Sequence, residues 1–170
     1  FAVRDPDDPV CPLVRNLLAE HPGIDAELVI CQELLGANAK VSSLAHLESR
    51  IRHEVVVVSD ADVRVPADLV TQMVAQLVQP GVGLVNCFYR LANPSNLPMH
   101  WEAYAVNTDF WSQVLQSRTL QSQDFALGAV MATTRPRLTA LGGFRSLVNH
   151  LADDYHLGNR VARLGLKVEL

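Results

Sequence analysis

The stretch Glu54-Val55-Val56-Val57-Val58-Ser59-Asp60-Ala61-Asp62 decides the fold of this chain. Four consecutive β-branched residues predict a buried strand, and such an apolar run suits the centre of a sheet that is covered on both faces. The strand ends in two carboxylates one residue apart, where open α/β sheets bind their ligands. We therefore expect Asp60 and Asp62 to hold a divalent cation, and with it a phosphate-bearing substrate. The alternative is a pair of aspartates that only caps a turn.

The composition is that of a globular domain. The chain has 170 residues, of which 49% are hydrophobic and 19% charged, which is enough for one domain with a sizeable core. A net charge of −4, with no cluster of lysine or arginine, argues against a nucleic-acid partner. The three cysteines are scattered along the chain, which indicates reduced, packed thiols rather than metal ligands.

Both ends of the chain resemble strands cut midway, at Phe1-Ala2-Val3 and at Lys167-Val168-Glu169-Leu170. We therefore expect residues 1–170 to be a partial domain, an excerpt of a longer protein. The sequence contains no signal peptide and no apolar stretch long enough to span a bilayer. Any membrane-spanning segment is accordingly expected outside this excerpt.

Strand and helix patterns alternate along the chain. Strands are predicted at 1–3, 27–31, 55–58, 82–88, 125–133 and 167–170. Helices are predicted around 13–18 and at 40–51, 66–77, 100–115, 138–141 and 153–164. This alternation predicts an α/β fold with a mostly parallel central sheet and helices on both of its faces.

Acidic residues of interest lie at three places in the sequence. The three groups are Asp5/Asp7/Asp8, Asp60/Asp62 and Asp153/Asp154. Each group follows a predicted strand or opens a predicted helix. On a parallel sheet the first two groups are expected to emerge along the same edge.

Several segments together resemble a known family, in order and over nearly the whole chain. They are the acidic loop in 1–9, Ala37-Asn38-Ala39-Lys40-Val41, the Asp60-Ala61-Asp62 strand end, Gly128 through Gly142-Gly143-Phe144, and Ala152-Asp153-Asp154-Tyr155. These segments resemble the motifs of the ceramide glucosyltransferases, which are the family-21 glycosyltransferases, and of bacterial relatives that glycosylate hopanoid lipids.

The resemblance implies a GT-A glycosyltransferase domain. Such a domain would move a hexose or an N-acetylhexosamine from a UDP-sugar to a lipid hydroxyl on a ceramide-like or hopanoid-like acceptor, with inversion at the anomeric carbon. The resemblance implies that Asp154 is the catalytic base. It further implies that Asp8, Asn38, Lys40 and Asp60 bind the nucleotide sugar.

The same resemblance implies a metal ion and a set of further substrate contacts. Asp60 and Asp62 would hold Mg²⁺ or Mn²⁺, which suits the hard oxygen ligands and would stabilise the charge of a leaving diphosphate. Candidate contacts with acceptor or substrate are Gly142, Gly143, Asp153 and His150. His150 is a candidate through its position three residues before Asp153, and the alternative for it is a surface or core histidine. We also expect Asp153 to raise the pKa of Asp154 by like-charge repulsion, which would strengthen the base.

The family also implies where the protein works. Relatives flank this domain with transmembrane helices, so we expect membrane association through segments outside the excerpt. The catalytic domain is expected on the cytoplasmic side, with the bacterial inner membrane as the favoured location.

Three alternative functions remain at this stage. A family-2 polysaccharide synthase domain would share much of this pattern. A phosphohydrolase of the haloacid dehalogenase type also places Asp-x-Asp after an apolar strand, with the first aspartate as nucleophile. A non-catalytic domain could keep the fold and only bind a nucleotide sugar. Transfer motifs of the Arg-Trp type do not occur between Asp154 and Leu170.

Overall fold

The computed structural model describes all of residues 1–170 and contains six strands and seven α-helices. The strands are β1 (Ala2–Val3), β2 (Val29–Ile30), β3 (Val55–Ser59), β4 (Val82–Asn86), β5 (Val130–Thr134) and β6 (Lys167–Glu169). The helices are α1 (Val10–Glu20), α2 (Ala39–Glu48), α3 (Leu69–Leu77), α4 (Leu97–Tyr104), α5 (Trp111–Leu120), α6 (Arg135–Ala140) and α7 (Asp153–Arg163). A π-helical segment (Ala105–Phe110) joins α4 to α5, and a 3₁₀ turn (Phe144–Leu147) follows α6.

The strands form a four-stranded sheet in the order β3-β5-β4-β6 and a separate parallel pair, β1-β2. Because β5 is antiparallel to both β3 and β4, and β6 is parallel to β4, three of the four strands run in the same direction. The predicted α/β fold is therefore confirmed, with a mixed sheet in which β5 is the one reversed strand and two of the three strand pairs are antiparallel. The reversal brings the start of β5 to the edge where β3 and β4 end.

The composition of the valine strand predicted a position at the centre of the sheet, and the structure differs. This strand lies at the edge of the four-stranded sheet, and Val57 is 37% exposed. Its backbone bonds to β5 on one side, with Asp60 N donating to Ala129 O at 2.9 Å. A cleft lined by Phe1 and Val55–Val57 lies on the other side, between this strand and the β1-β2 pair. Only Val58 of the four valines is buried, so the prediction of a buried central strand was wrong. A run of β-branched residues favours a strand, but it determines neither the number of strand neighbours nor the cover on each face.

Helices cover both faces of the four-stranded sheet, as predicted. On one face, α2, α6, the 3₁₀ turn and α7 bury a core that includes Leu84 and Val161, both 0% exposed. On the other face, α3 packs Met73 and Leu77 against β4 and β5. A smaller cluster holds Trp111 of α5. The sheet is therefore fixed from both sides, which gives the residues at its edges a rigid base.

Most predicted elements differ by a few residues from their observed bounds, and two of these differences lie near the site. The strand predicted at 125–133 begins only at Val130, because Leu127 N donates to the Asn86 side chain at 3.0 Å instead of joining the ladder. The helix predicted at 100–115 is longer, and with its π-helical centre it continues from Leu97 to Leu120. The first difference matters for function, because it leaves residues 121–129 as a loop beside the ends of β3 and β4.

All three cysteines are free thiols, two of them buried and Cys87 half-buried. Burial raises the pKa of the Cys31 and Cys87 thiols, which keeps them protonated. They are packed side chains, as their scattered positions predicted.

Candidate active site

An ion pair joins two of the residues predicted to bind the nucleotide sugar. Lys40, in the first turn of α2, places its Nζ 2.6 Å from Oδ1 of Asp60, which directly follows β3. The same Nζ lies 3.5 Å from the Gly128 carbonyl oxygen in the loop before β5. The side chains of Lys40 and Asp60 are 38% and 35% exposed, so the pair faces solvent and is open to a ligand. Sequence reasoning placed both residues in the site but not in contact.

Asn38 fixes the start of α2 against the start of α7. Its Oδ1 caps α2 by accepting from Val41 N at 3.1 Å. Its Nδ2 donates to the His150 carbonyl oxygen at 2.8 Å and lies 3.3 Å from Oδ1 of Asp153. The amide therefore has intramolecular partners for both its oxygen and its nitrogen. The structure supports a positioning role for Asn38, through which Lys40 and α7 keep their relative places.

Asp153 and Asp154 open α7 but lie in different surroundings. Asp153 is 9% exposed, and burial raises the pKa of its carboxyl. The Lys40 ammonium opposes this effect, while the Asp154 carboxylate adds to it. Asp153 is thus the buried member of the pair, and the effect on Asp154 that the sequence predicted stays a prediction. Both carboxylates also lie at the positive end of the helix dipole.

Asp154 faces the loop before β5. Its Oδ1 accepts from Tyr155 N at 2.7 Å. A Cβ built on Gly128 would lie 2.7 Å from its Oδ2 and 3.3 Å from its Cγ. Only a glycine at 128 therefore leaves this carboxylate where it is. Gly128 is in reach of Lys40 on one side and Asp154 on the other, and it joins the second and third acidic groups into one site.

The donor set for a metal ion consists of two aspartates. Asp62 is exposed, two residues beyond Asp60, and the fold gathers no group of three histidine, cysteine or acidic side chains that could hold an ion. Magnesium and manganese bound beside a diphosphate take one or two protein carboxylates and complete their shell with phosphate oxygens and water. Asp60 and Asp62 fit that requirement, and they do not fit a closed all-protein site.

Asp8 takes part in a turn rather than in the Lys40–Asp60 contact. Its Oδ1 accepts from Val10 N at 2.9 Å and so supports the first turn of α1, while Asp5 accepts from Asp7 N at 2.9 Å. This loop follows β1, which belongs to the separate two-stranded sheet. The local geometry is that of a capping turn, and nucleotide binding by Asp8 stays a prediction.

His150 lies beside α7, with its ring 4.1 Å from that of His156 and its carbonyl bonded to Asn38. The structure thus brings His150 to the site region.

Gly142 and Gly143 lie elsewhere. They have φ angles of +91° and +66°, which favour glycine, and Phe144 N donates to Glu48 at 2.8 Å. Glu48 is at the far end of α2, on the order of 12 Å along the helix from Lys40. The structure therefore places the glycine pair in a structural turn against that helix end, away from the ion pair and Asp154.

Sequence reasoning assigned no role to Tyr89, which follows β4 and packs against the cluster that contains Leu127. Burial raises the pKa of its phenol, and the carboxylates of Asp154 and Asp60 raise it further. The available signal was its position just beyond the carboxyl end of a predicted strand, where α/β sheets bind ligands.

The whole chain, residues 1–170, matches the model of the family described as glycosyl transferase family 21. Among curated relatives, ceramide glucosyltransferase 3 of Caenorhabditis elegans is 22% identical over 98% of this chain and 36% of its own length. Ceramide glucosyltransferase 1 of the same organism is 21% identical over 100% of this chain and 36% of its own length. The Candida albicans ceramide glucosyltransferase is 26% identical over 45% of this chain and 16% of its own.

Among solved structures, a mannosyltransferase from Pyrobaculum calidifontis, in complex with GDP-Man and Mn²⁺, has a TM-score of 0.70. It is 25% identical and aligns with 99% of this chain and 44% of its own. The GT-A-type fold predicted from the sequence is thereby confirmed. The chain spans between a third and a half of the length of these full-chain matches. None of its helices combines the length and apolar character that crossing a membrane requires.

Proposed function

Because the chain belongs to glycosyl transferase family 21, we propose that its protein transfers a hexose or an N-acetylhexosamine from a UDP-sugar to a lipid hydroxyl, with inversion at the anomeric carbon. One observation carries the proposal. Lys40 contacts Asp60 at 2.6 Å and approaches Gly128 at 3.5 Å, and Gly128 in turn directly adjoins Asp154. A cationic group for a diphosphate and a carboxylate for an acceptor therefore both lie against one glycine.

The donor end of the site is formed by Lys40, Asp60 and Asp62. A bound Mg²⁺ or Mn²⁺ would supply charge neutralisation for the departing diphosphate, with Asp60 and Asp62 as its protein ligands. The Lys40 ammonium adds a fixed positive charge at the same place, and its contact with Asp60 keeps it there in the free protein. A diphosphate entering the site would share this ammonium with Asp60.

The acceptor end is formed by Asp154. Its carboxylate takes the proton of the acceptor hydroxyl as the oxygen attacks C1 of the sugar, and the bond from C1 to the diphosphate breaks on the opposite side. The buried Asp153 and Asn38 hold the start of α7, and hence Asp154, in place. Such positioning lowers the activation barrier, because a small displacement of a reacting group reduces the rate strongly.

The acceptor is proposed to be a ceramide-like or hopanoid-like lipid. The names of the curated relatives support glycolipid synthesis. A protein acting on such a lipid would work at a membrane, which we propose to be the bacterial inner membrane with this domain on its cytoplasmic side. Family membership disfavours the family-2 synthase and phosphohydrolase alternatives. A domain that only binds nucleotide sugar remains an outcome of the test below.

The test is a transfer assay of the full-length protein with a panel of donors and lipid acceptors. Donors are UDP-glucose, UDP-N-acetylglucosamine and, because the structural neighbour holds GDP-Man, GDP-mannose. We expect transfer from a UDP-sugar to a lipid hydroxyl, loss of activity in EDTA, and recovery with Mg²⁺ or Mn²⁺. Transfer from GDP-mannose alone would overturn the donor assignment. Donor binding without transfer to any acceptor would instead support the non-catalytic alternative.

A further inference from the structure

Tyr89 reaches the same edge of the sheet as Asp60 and Asp154. The strand ladder fixes this position: Asp60 N donates to Ala129 O at 2.9 Å, and Cys87 N donates to Val130 O at 3.1 Å. The ends of β3 and β4 therefore flank the start of β5 from its two sides. Tyr89 lies three residues beyond the end of β4 and packs against the small cluster that contains Leu127, the residue before Gly128.

The ring and backbone of Tyr89 are held by the aromatic residues of the α4–α5 region. Trp111 Nε1 donates to the Tyr89 carbonyl oxygen at 2.6 Å, and the two rings meet edge to face with centroids 5.4 Å apart. Phe110 packs against the same ring at 6.3 Å. Trp111 itself is 7% exposed, so the support is rigid. The hydrogen bond of Tyr89 to this support runs through its main chain, which leaves the phenol available to a ligand.

The charges around the phenol determine its chemistry. Burial raises the pKa of Tyr89, and the carboxylates of Asp154 and Asp60 raise it further. The phenol accordingly keeps its proton at neutral pH and acts as a hydrogen-bond donor. The two carboxylates that act on the phenol are Asp60 at the donor end of the site and Asp154 at the acceptor end. In the proposed reaction the transferred sugar lies between these two ends.

We propose that Tyr89 contacts the transferred sugar and positions it by donating a hydrogen bond from its phenol to a sugar oxygen. This inference rests on the proposed function. It assigns Tyr89 to the sugar and not to the diphosphate, which belongs to Lys40 and Asp60. Removal of the hydroxyl should therefore weaken binding of the sugar nucleotide and spare binding of the nucleoside diphosphate.

The test is Tyr89→Phe in the full-length protein, with Tyr104→Phe as the matched control. Tyr104 is 67% exposed on α4, so its variant removes the same hydroxyl outside the site. Equilibrium affinities for UDP-glucose and UDP are measured by calorimetry, together with kcat, KM and the melting temperature. We expect Y89F to lose about tenfold in affinity for UDP-glucose and in kcat/KM, with unchanged affinity for UDP and an unchanged melting temperature.

Three results would overturn the inference. They are UDP-glucose affinity of Y89F within twofold of the wild type, an equal loss of UDP affinity in Y89F, and the same loss in Y104F. Each result would mean that Tyr89 packs against the aromatic residues of the α4–α5 region and does not contact the sugar. These outcomes are separate from failure of the proposed function, because the comparison of UDP-glucose with UDP requires binding alone, whereas the proposed function requires transfer by the wild-type protein.

Discussion

Replacement of Gly128 by alanine should reduce transfer while leaving the fold intact. The new Cβ would lie 2.7 Å from Asp154 Oδ2, 3.3 Å from its Cγ and 3.4 Å from its Cβ. Ordinary contacts of a Cβ begin near 3.4 Å, so the carboxylate oxygen must retreat by roughly 0.7 Å. Because a misplacement of about 1 Å can cost on the order of 100-fold in rate, we expect kcat to fall by roughly 10- to 100-fold.

Stability should respond differently from activity in the same variant. Gly128 does not have a positive φ angle, so alanine suits the backbone there. The substitution also lowers the entropy of the unfolded chain, which is worth about 0.4–1 kcal/mol and offsets part of the local crowding. We therefore expect a melting temperature within a few degrees of the wild type.

The assay compares kcat, donor affinity and thermal melting of Gly128→Ala with those of Gly23→Ala. Gly23 is the matched control because a Cβ built on it meets nothing within 4 Å. The control should transfer sugar like the wild type. If Gly128→Ala kept kcat within twofold, Asp154 would not need its observed position, and the reasoning would be refuted. A global loss of folding in Gly128→Ala would equally contradict the local account of its effect.

Two further variants test the electrostatics of the site. Lys40→Met should weaken UDP binding about tenfold relative to Lys167→Met, which removes an exposed lysine from β6. Stability should change by less than about 1 kcal/mol, because the Lys40–Asp60 pair is over a third exposed. Equal UDP binding in the two variants would rule out the assigned role of Lys40. The pKa of Asp153 is raised in the fold, so the native state binds the proton more tightly and stability falls as pH rises above the ordinary value of 3.8. The melting temperature of Asp153→Asn should therefore exceed that of the wild type at pH 7, and the difference should disappear near pH 3. A difference in melting temperature that does not change with pH would contradict the burial of a titrating carboxyl.

Local sequence patterns determined most of the elements and the placement of Asp60. The valine run gave β3 with almost its observed bounds, and the carboxyl-end rule placed Asp60 at the binding edge. The edge position of β3 could not be read from the sequence, because its partner β5 is about seventy residues away along the chain. Strand order is a property of distant contacts, whereas side-chain alternation is a local one.

The different surroundings of Asp153 and Asp154 could be predicted from the helical pattern of α7. Residues 153, 157 and 161 are four apart, and Leu157 and Val161 are buried apolar residues. This helical phase places Asp153 on the face of α7 that packs on the core, whereas Asp154 faces the loop before β5. The two carboxylates look equivalent as a motif and differ once the helix is given a face.

No pattern in the sequence predicts the hydrogen bonds by which Asn38 joins the start of α2 to the start of α7. These bonds join residues more than a hundred positions apart, at His150 and Asp153. The place of the glycine pair was not predictable for a related reason: positive φ angles explain why residues 142 and 143 are glycine, but they do not indicate which end of α2 the turn contacts. Contact of this pair with the acceptor stays a prediction.

The measurement that tests the central claim most directly is sugar transfer by Asp154→Asn in the full-length protein, alongside binding of its donor. Asparagine keeps the shape of the side chain and cannot take the proton. The account predicts that transfer falls by about 100- to 10,000-fold, while UDP-sugar affinity and the melting temperature stay near those of the wild type. Transfer at the wild-type rate with unchanged donor binding would contradict the assignment of Asp154 as the base.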